Sequence, residues 1–327
     1  MARKALDALS RATFRPDTVS PSFVTLVALT PPVVAGLLLF GLPALRLLGL
    51  AVLVGAAVHV AAKLSRQPLG LTPVVPAVVG VAFVGPGASP AWAATIALVA
   101  SALELARARF VPGARLELGV IGYAVAFLAA RGAVAAYLAP HSLNSTAEPI
   151  RLWLQYYGAG QAPIDPVRLY VGNLPGPVFA TSVLAVALGA AWLWYARRLA
   201  LLVVLTFGLG AVCSVKLMGW SVPYQLDSGP LWFAGALVLA DRRLLPSSRR
   251  VQALLGLAAG VVVMGARARG VAIEAAPIAV AALQVVVAAV EGICWLVPNR
   301  HRLGQAARAA GVPSLSTRRL SGRVRPS

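Results

Sequence analysis

The stretch LTPVVPAVVGVAFV, residues 71–84, is almost entirely apolar but has only 14 residues, and Pro73 and Pro76 interrupt it. A helix of that length covers about 21 Å at about 1.5 Å per residue, less than the roughly 30 Å hydrocarbon core of a bilayer. A second such stretch, Gly229–Ala240, is shorter still and opens on Gly229-Pro230. Paired short segments broken by Pro or Gly are typical of half-helices that end near the bilayer midplane. The alternative is two ordinary spans that tilt or thin the bilayer locally.

The composition around these stretches predicts an integral membrane protein. Of the 327 residues 59% are hydrophobic and 12% are charged, and the mean hydropathy is +0.81. Soluble domains carry about 25% charged residues, and ten acidic residues cannot cover a soluble surface of this size. The net charge of +19 does not indicate nucleic-acid binding, because the basic residues lie in short clusters between apolar runs. Neither the two cysteines nor the three histidines form a metal-binding pattern.

Ten apolar segments can be read along the chain, and they form two series of five. They are predicted near Phe23–Phe40, Ala44–Ala62, Leu71–Val84, Ala91–Ala106, Leu118–Tyr137, Pro177–Ala196, Leu199–Leu217, Gly229–Ala240, Val251–Met264 and Val271–Val297. Each segment of the second series starts 153 to 160 residues after its counterpart in the first. Because five is odd, the second series enters the membrane in the opposite direction, which predicts an inverted repeat.

The basic residues predict the topology. With both termini on the cytoplasmic side, 22 of the 29 Lys and Arg residues lie inside, as the positive-inside rule requires. We therefore expect a multi-pass protein of the cell (inner) membrane with cytoplasmic termini. The predicted parts are a basic N-terminal segment 1–20, a first five-helix repeat 21–138, an extracytoplasmic loop 139–176, a second repeat 177–297, and a basic disordered tail 298–327.

Several motifs of the chain resemble those of one known family of membrane proteins. Ser20-Pro21-Ser22 is similar to the Ser-Pro-His stretch before the first helix of that family. Tyr224-Gln225-Leu226-Asp227-Ser228-Gly229, followed by a short apolar run and Asp241, resembles its Phe-His-Leu-Leu-Ser-Gly-Gly run. Gly172 to Ser182 resembles the glycine-rich entry to its sixth helix. On these motifs the chain resembles the RnfD/NqrB family of membrane subunits in electron transport complexes, and the resemblance covers roughly residues 18–297 and implies ten helices in two related halves.

The resemblance also implies a flavin mononucleotide (FMN), which the family esterifies to a threonine in a Ser-Gly-Ala-Thr-Pro-Leu type motif. The corresponding stretch here is Ser145-Thr146-Ala147-Glu148-Pro149-Ile150, so the acceptor position holds Glu148, which has no hydroxyl. This argues against covalent attachment, although Ser145 or Thr146 could supply a hydroxyl two or three residues away. The residues expected near a cofactor are Ser145, Thr146, Glu148, Gln225, Ser228, Gly229 and Asp241.

Ionisable residues inside spans are costly and are candidates for function. Glu291 and Gln284 lie seven residues apart, on nearly the same face of the last predicted span, and could line a cation or proton path. The alternative is that Glu291 pairs with a basic residue or a neighbouring helix. We expect Glu274 to pair with the nearby Arg267 or Arg269, and Glu104 with Arg107.

The leading functional hypothesis is an RnfD-like membrane subunit that binds a flavin or supports ion passage, with lipids and other redox subunits as partners. No dinucleotide fingerprint or acid–base cluster indicates catalysis by this chain alone, so we expect at most a non-catalytic or electron-carrying subunit of an ion-translocating oxidoreductase complex. The alternatives are a non-redox transporter or channel, and an accessory membrane protein of a biosynthetic pathway, because the same fold can serve either.

Overall fold

The computed structural model describes residues 20–67, 69–156 and 164–291, and within these ranges it contains helices, turns and two isolated β-bridges but no strand. The described residues up to Val285 form one compact unit. A second unit begins at Val286, and only the end of the last helix is described there. The predicted tail 298–327 and all but the last residue of the N-terminal segment 1–20 lie outside the described residues.

The first half of the chain contains four helices of 12 residues or more, one short apolar helix and one helical turn. Their bounds are α1 Pro21–Phe40, α2 Leu42–Leu64, α3 Val74–Val81, α4 Pro90–Phe110, α5 Leu118–Ala129 and α6 Arg131–Val134. The hydroxyl of Ser20 caps α1 by accepting from the Phe23 amide at 3.3 Å. Proline occupies the first turn of α1, α2 and α4, where its missing N–H costs nothing.

The predicted extracytoplasmic loop holds two short helices, and the second half follows it. The bounds are α7 Pro149–Tyr156, α8 Pro166–Val171, α9 Val183–Tyr195, α10 Leu201–Leu217, α11 Val222–Asp227, a π-helix Phe233–Leu239, a 3₁₀ turn Arg242–Leu244, α12 Arg249–Ala268 and α13 Ala275–Glu291. The π-helix ends on a bond from the Ala240 amide to the Gly235 carbonyl, five residues back.

Four of the described helices, α1, α2, α4 and α12, are long and apolar enough to cross a membrane, and α5, α9, α10 and α13 are shorter apolar helices. Their exposed faces carry large hydrophobic side chains. Leu38 is 74% exposed, Leu53 68% and Leu254 64%. A soluble protein would not leave such apolar faces in water, so they indicate contact with lipid and a multi-pass membrane protein.

The two short segments singled out in the sequence form the most deeply buried helices. Every residue of the π-helix is buried, as is every residue of α3 after Val74. Helix α3 packs against α2, α4 and α5, whereas the π-helix packs against α9, α10 and α12. Each short helix is therefore surrounded mainly by longer helices of its own half.

Helices α1 and α9 pack closely against each other across the two halves. A Cβ added at Gly189 of α9 would lie 2.3 Å from the carbonyl oxygen of Ala28 in α1, so only glycine fits at this crossing. The indole of Trp192 also donates to the Val24 carbonyl at 3.1 Å. Small residues at a crossing allow two helices in a membrane to approach closely.

Most predicted spans differ from the structure by a few residues at their ends, and two of them differ more. Helix α5 ends at Ala129 rather than at Tyr137, because the backbone after it turns away and the carbonyls of Val134 and Ala136 accept from the amides of Gly85 and Gly87 at 2.9 Å each. Helix α9 begins at Val183 rather than at Pro177. The preceding Val178 amide donates instead to the Val84 carbonyl, just after α3, at 2.9 Å.

Candidate functional site

The backbone that leads into α3 is held by polar side chains of two longer helices. Glu104 of α4 accepts from the Leu71 amide at 2.9 Å, and Ser22 of α1 accepts from the Thr72 amide at 2.9 Å. Arg107 forms an ion pair with Glu104 at 2.6 Å, which confirms the predicted pair. Irregular backbone among apolar helices needs such partners, because lipid offers none.

The backbone that leads into the π-helix is held by one fully buried guanidinium. Arg267 of α12 donates to the carbonyls of Gln225 and Ser228, in the second case at 2.9 Å, and to the Gln225 side-chain oxygen at 3.2 Å. Gly229 follows with φ +72°, a conformation that favours glycine. Three predicted site residues, Gln225, Ser228 and Gly229, therefore lie together. The backbone carbonyls of the first two accept hydrogen bonds from the Arg267 guanidinium.

A cavity of about 880 Å³, the loop cavity, lies against the segment that corresponds to the flavin-attachment motif. Its polar lining comes from the α5–α7 region: Arg131, Tyr137, Ser145, Thr146, Glu148 and Arg151. Ser145 and Thr146 are exposed, so their hydroxyls are accessible from the cavity. Its volume is in the range of ligand pockets, and two guanidinium groups beside hydroxyls suit an anionic group.

Glu148 is buried at the N-terminus of α7 and acts as its cap. Its two carboxylate oxygens accept from the amides of Ile150 at 2.7 Å and Arg151 at 3.0 Å. Burial, together with the nearby Glu274, raises the pKa of this carboxyl to about 7, although the two amides and Arg151 act in the opposite direction. The acceptor position thus holds a carboxylate engaged in helix capping, and it does not fit a flavin phosphoester.

Glu274 does not pair with the arginines nearest to it in sequence, so that prediction was wrong. Its carboxylate accepts from the Tyr137 hydroxyl at 3.3 Å and lies 3.8 Å from the Arg151 guanidinium. Arg267 is engaged with the carbonyls before the π-helix instead. The side chain is 1% exposed, and its second oxygen has no hydrogen-bond partner in the described ranges.

Asp241 lies apart from the loop cavity, in a separate buried network. Its carboxylate accepts from Arg198, just after α9, and from Arg243 at 2.7 Å. Burial would raise the pKa of Asp241, but the two guanidinium groups hold it below its usual value. Arg243 also reaches the Thr25 hydroxyl of α1 at 3.4 Å, so this network joins the first helix to the segment after the π-helix.

Glu117 is a buried acid that the sequence interpretation did not select. It directly precedes α5, is 4% exposed, and its amide donates to the Gln284 side-chain oxygen of α13 at 3.0 Å. Gln284 is therefore buried against Glu117, whereas Glu291 is half-buried near the end of α13. The spacing in the sequence could have indicated it, because Glu117 and Glu274 lie 157 residues apart and each directly precedes the last apolar helix of its half.

The comparisons with known proteins identify the family. No curated protein matches the chain closely enough to be reported as a relative. Among the described residues, no group of three or more His, Cys, Asp or Glu side chains could hold a metal ion. A model of the NQR2, RnfD, RnfE family matches residues 14–294, which is most of the chain. The chain therefore belongs to this family, whose members are membrane subunits of Rnf- and Nqr-type complexes.

Proposed function

We propose that this chain is a membrane subunit of an Rnf/Nqr-type electron transport complex that supports ion passage and carries no covalent flavin. Family membership supports its place in such a complex. One observation carries the ion-passage part. Glu117 and Glu274 are both buried, each directly precedes the last apolar helix of its half, and each has a carboxylate oxygen without a hydrogen-bond partner among the described residues. Buried, incompletely paired acids in membrane proteins are typical of ion and proton pathways.

The inverted repeat is part of the same proposal. Helices α2 and α4 pack together in the first half, as their counterparts α10 and α12 do in the second. The pair formed by α1 and α3 likewise corresponds to the pair formed by α9 and the π-helix. Repeat-built transport proteins place their sites where the halves meet. We propose that both termini face the cytoplasm and that the loop cavity faces the opposite side.

The absence of a covalent flavin rests on Glu148. A threonine in this place would offer a hydroxyl for the phosphoester, whereas the carboxylate caps α7 and lies 3.5 Å from Arg151. FMN would supply one-electron and two-electron chemistry wherever the complex holds it. The residue of this chain at the acceptor position therefore does not fit an attached flavin.

A tagged copy of the chain, purified from its native membranes, tests the proposal. We expect other redox subunits to co-purify, and we expect the denatured chain to show no flavin fluorescence in a gel. Inverted vesicles should couple oxidation of an electron donor to ion movement, and Glu274→Gln should reduce that coupling. The exposed Asp165 gives a matched control, Asp165→Asn.

A fluorescent band would contradict the proposed absence of a covalent flavin. If no redox subunits co-purify and the isolated chain moves a solute across liposomes, the transporter alternative is correct instead.

A further inference from the structure

A small cavity, here called the junction cavity, lies where α1, α3, α9 and the π-helix meet. The volume that the centre of a water molecule can occupy in it is about 10 Å³, which is close to the minimum for one buried water. Its apolar walls come from all four helices, among them Val79 of α3 and Phe233 of the π-helix. Its polar lining consists of Thr25, Glu117, Asp241 and Arg243. The cavity therefore contacts both short helices and both halves of the chain.

Glu117 is the polar group in this lining that lacks a complete set of partners. Its Oε1 is buried and has no hydrogen-bond partner within the part of the chain that the structure describes. Asp241, in contrast, accepts from two arginines. A buried carboxylate oxygen left unpaired is costly, so a water or a proton at this position would stabilise the structure.

The charged groups around Glu117 are already paired with one another. Glu104 pairs with Arg107 on α4, and Asp241 pairs with both Arg198 and Arg243. Three other helices contribute uncharged side chains near Glu117: Gln284 from α13, Thr25 from α1 and Val79 from α3. Within the described ranges no cation therefore forms an ion pair with Glu117, and among the charges around it only Arg243 lowers the pKa of its carboxyl.

Burial raises the pKa of the Glu117 carboxyl to about 7, although Arg243 lowers it in part. The cavity is too small for a hydrated metal ion, and the Arg243 guanidinium beside it disfavours a second cation. A proton avoids both problems, because it neutralises the carboxylate without needing further space. The chemistry of the cavity therefore suits a proton better than a sodium ion.

We propose that Glu117 carries an exchangeable proton, and that one water in the junction cavity links it to Thr25 and to the Asp241–Arg243 pair. The proton arrives through this water and converts the carboxylate to a carboxylic acid. It leaves by the same water, which restores the carboxylate. This inference rests on the proposed function, because it makes the junction cavity the place where a transported proton is held between the two short helices.

Infrared difference spectra of the purified complex between about pH 5 and pH 9 test the site directly, because a protonated carboxyl has its own C=O band. Glu117→Gln should remove one component of that band, whereas the exposed control Asp165→Asn should leave it unchanged. Glu148→Gln should remove a different component. If Glu117→Gln disrupts folding, Glu117→Asp keeps a carboxyl and should shift the component. Thr25→Val should also shift it, because it removes a hydroxyl from the cavity at nearly constant shape.

An unchanged band in Glu117→Gln, or in both Glu117→Asp and Thr25→Val, would overturn the proton site. Proton uptake by vesicles containing the complex separates this failure from failure of the proposed function. A Glu117-dependent band in a complex that moves no ions would leave the site standing and refute ion passage. Ion movement that persists unchanged in Glu117→Gln would support the general function and place the proton path elsewhere.

Discussion

Glu104 and Arg267 hold the backbone ahead of the two short buried helices with opposite charges. Glu104 accepts from the Leu71 amide before α3, and Arg267 donates to the Ser228 carbonyl before the π-helix, each at 2.9 Å. Each residue belongs to the long helix that follows the short one in its own half. Both halves must provide hydrogen-bond partners for backbone groups that lie away from water. The first half uses a carboxylate for this and the second half uses a guanidinium.

Replacing the buried guanidinium should destabilise the second half. Arg267→Met leaves the carbonyls of Gln225 and Ser228 without their donor, and each buried unsatisfied group costs about 1–3 kcal/mol. We expect the free energy of unfolding in detergent to fall by about 3 kcal/mol. The exposed Arg269 gives a matched control, since Arg269→Met should change it by less than about 0.5 kcal/mol. Equal effects of the two substitutions would show that the buried contacts contribute nothing.

Removing the charge of Asp241 should leave two arginines without a counter-ion. Breaking one side of a buried ion pair typically costs about 3–5 kcal/mol, and Asp241→Asn should show a loss of that order in denaturant titrations. Adding Arg198→Met to Asp241→Asn should recover part of the loss, because it removes one uncompensated cation. Recovery is only partial, since Arg198 also donates to the Pro21 carbonyl at 2.7 Å. If the double variant loses more free energy of unfolding than the two single variants lose together, this coupling is contradicted.

A methyl group at the crossing of α1 and α9 should separate the two halves. Gly189→Ala places a Cβ 2.3 Å from the Ala28 carbonyl oxygen, and such overpacking costs about 1–3 kcal/mol. Gly49 of α2 has open space around it, so Gly49→Ala should be neutral or stabilising by up to about 1 kcal/mol. Thermal unfolding midpoints of the two variants in the same detergent provide the comparison. A Gly189→Ala protein as stable as Gly49→Ala would show that α9 moves without cost.

The stability of the protein should depend on pH through Glu148. Its pKa is raised from 4.5 to about 7 in the folded chain, so the folded state retains a proton that the unfolded state has lost. This contribution to stability is full below about pH 4.5, declines as the pH rises, and is gone above about pH 7. In Glu148→Gln the slope over this window should be smaller, although the loss of one capping acceptor lowers the whole curve. Unfolding midpoints measured between about pH 4.5 and pH 7 give the dependence of stability on pH for both proteins. An identical slope in the two would assign the titration to another group.

The short helices could be recognised from sequence because their cause is local. Too few apolar residues between Pro or Gly signals cannot make a full span, and both segments are short and buried in the structure. Helix α5 was predicted too long because the apolar run continues to Tyr137, whereas the pairing of Val134 and Ala136 with the glycines after α3 stops the helix. That pairing joins residues far apart in the chain, and periodicity carries no information about it.

The candidate site was predictable in part for the same reason. The capping role of Glu148 depends on its immediate neighbours, and the resemblance already marked this position. The surroundings of Glu117 depend on Gln284, which lies 167 residues away. Glu274 was assigned to arginines near it in sequence, but tertiary packing directs Arg267 to the carbonyls before the π-helix and brings Arg151 to Glu274 instead.

The π-helix Phe233–Leu239 also bears on how this chain is aligned with others. A bond that reaches five residues back, as from Ala240 to Gly235, encloses one residue more than an α-helical turn. Removing a single residue there would restore the ordinary α-helical hydrogen bonds. Arg267 would still bind the backbone before the helix, and Asp241 would still bind the backbone after it. A one-residue gap at this point between otherwise matched sequences would therefore mark a change of helix type at a fixed place in the fold.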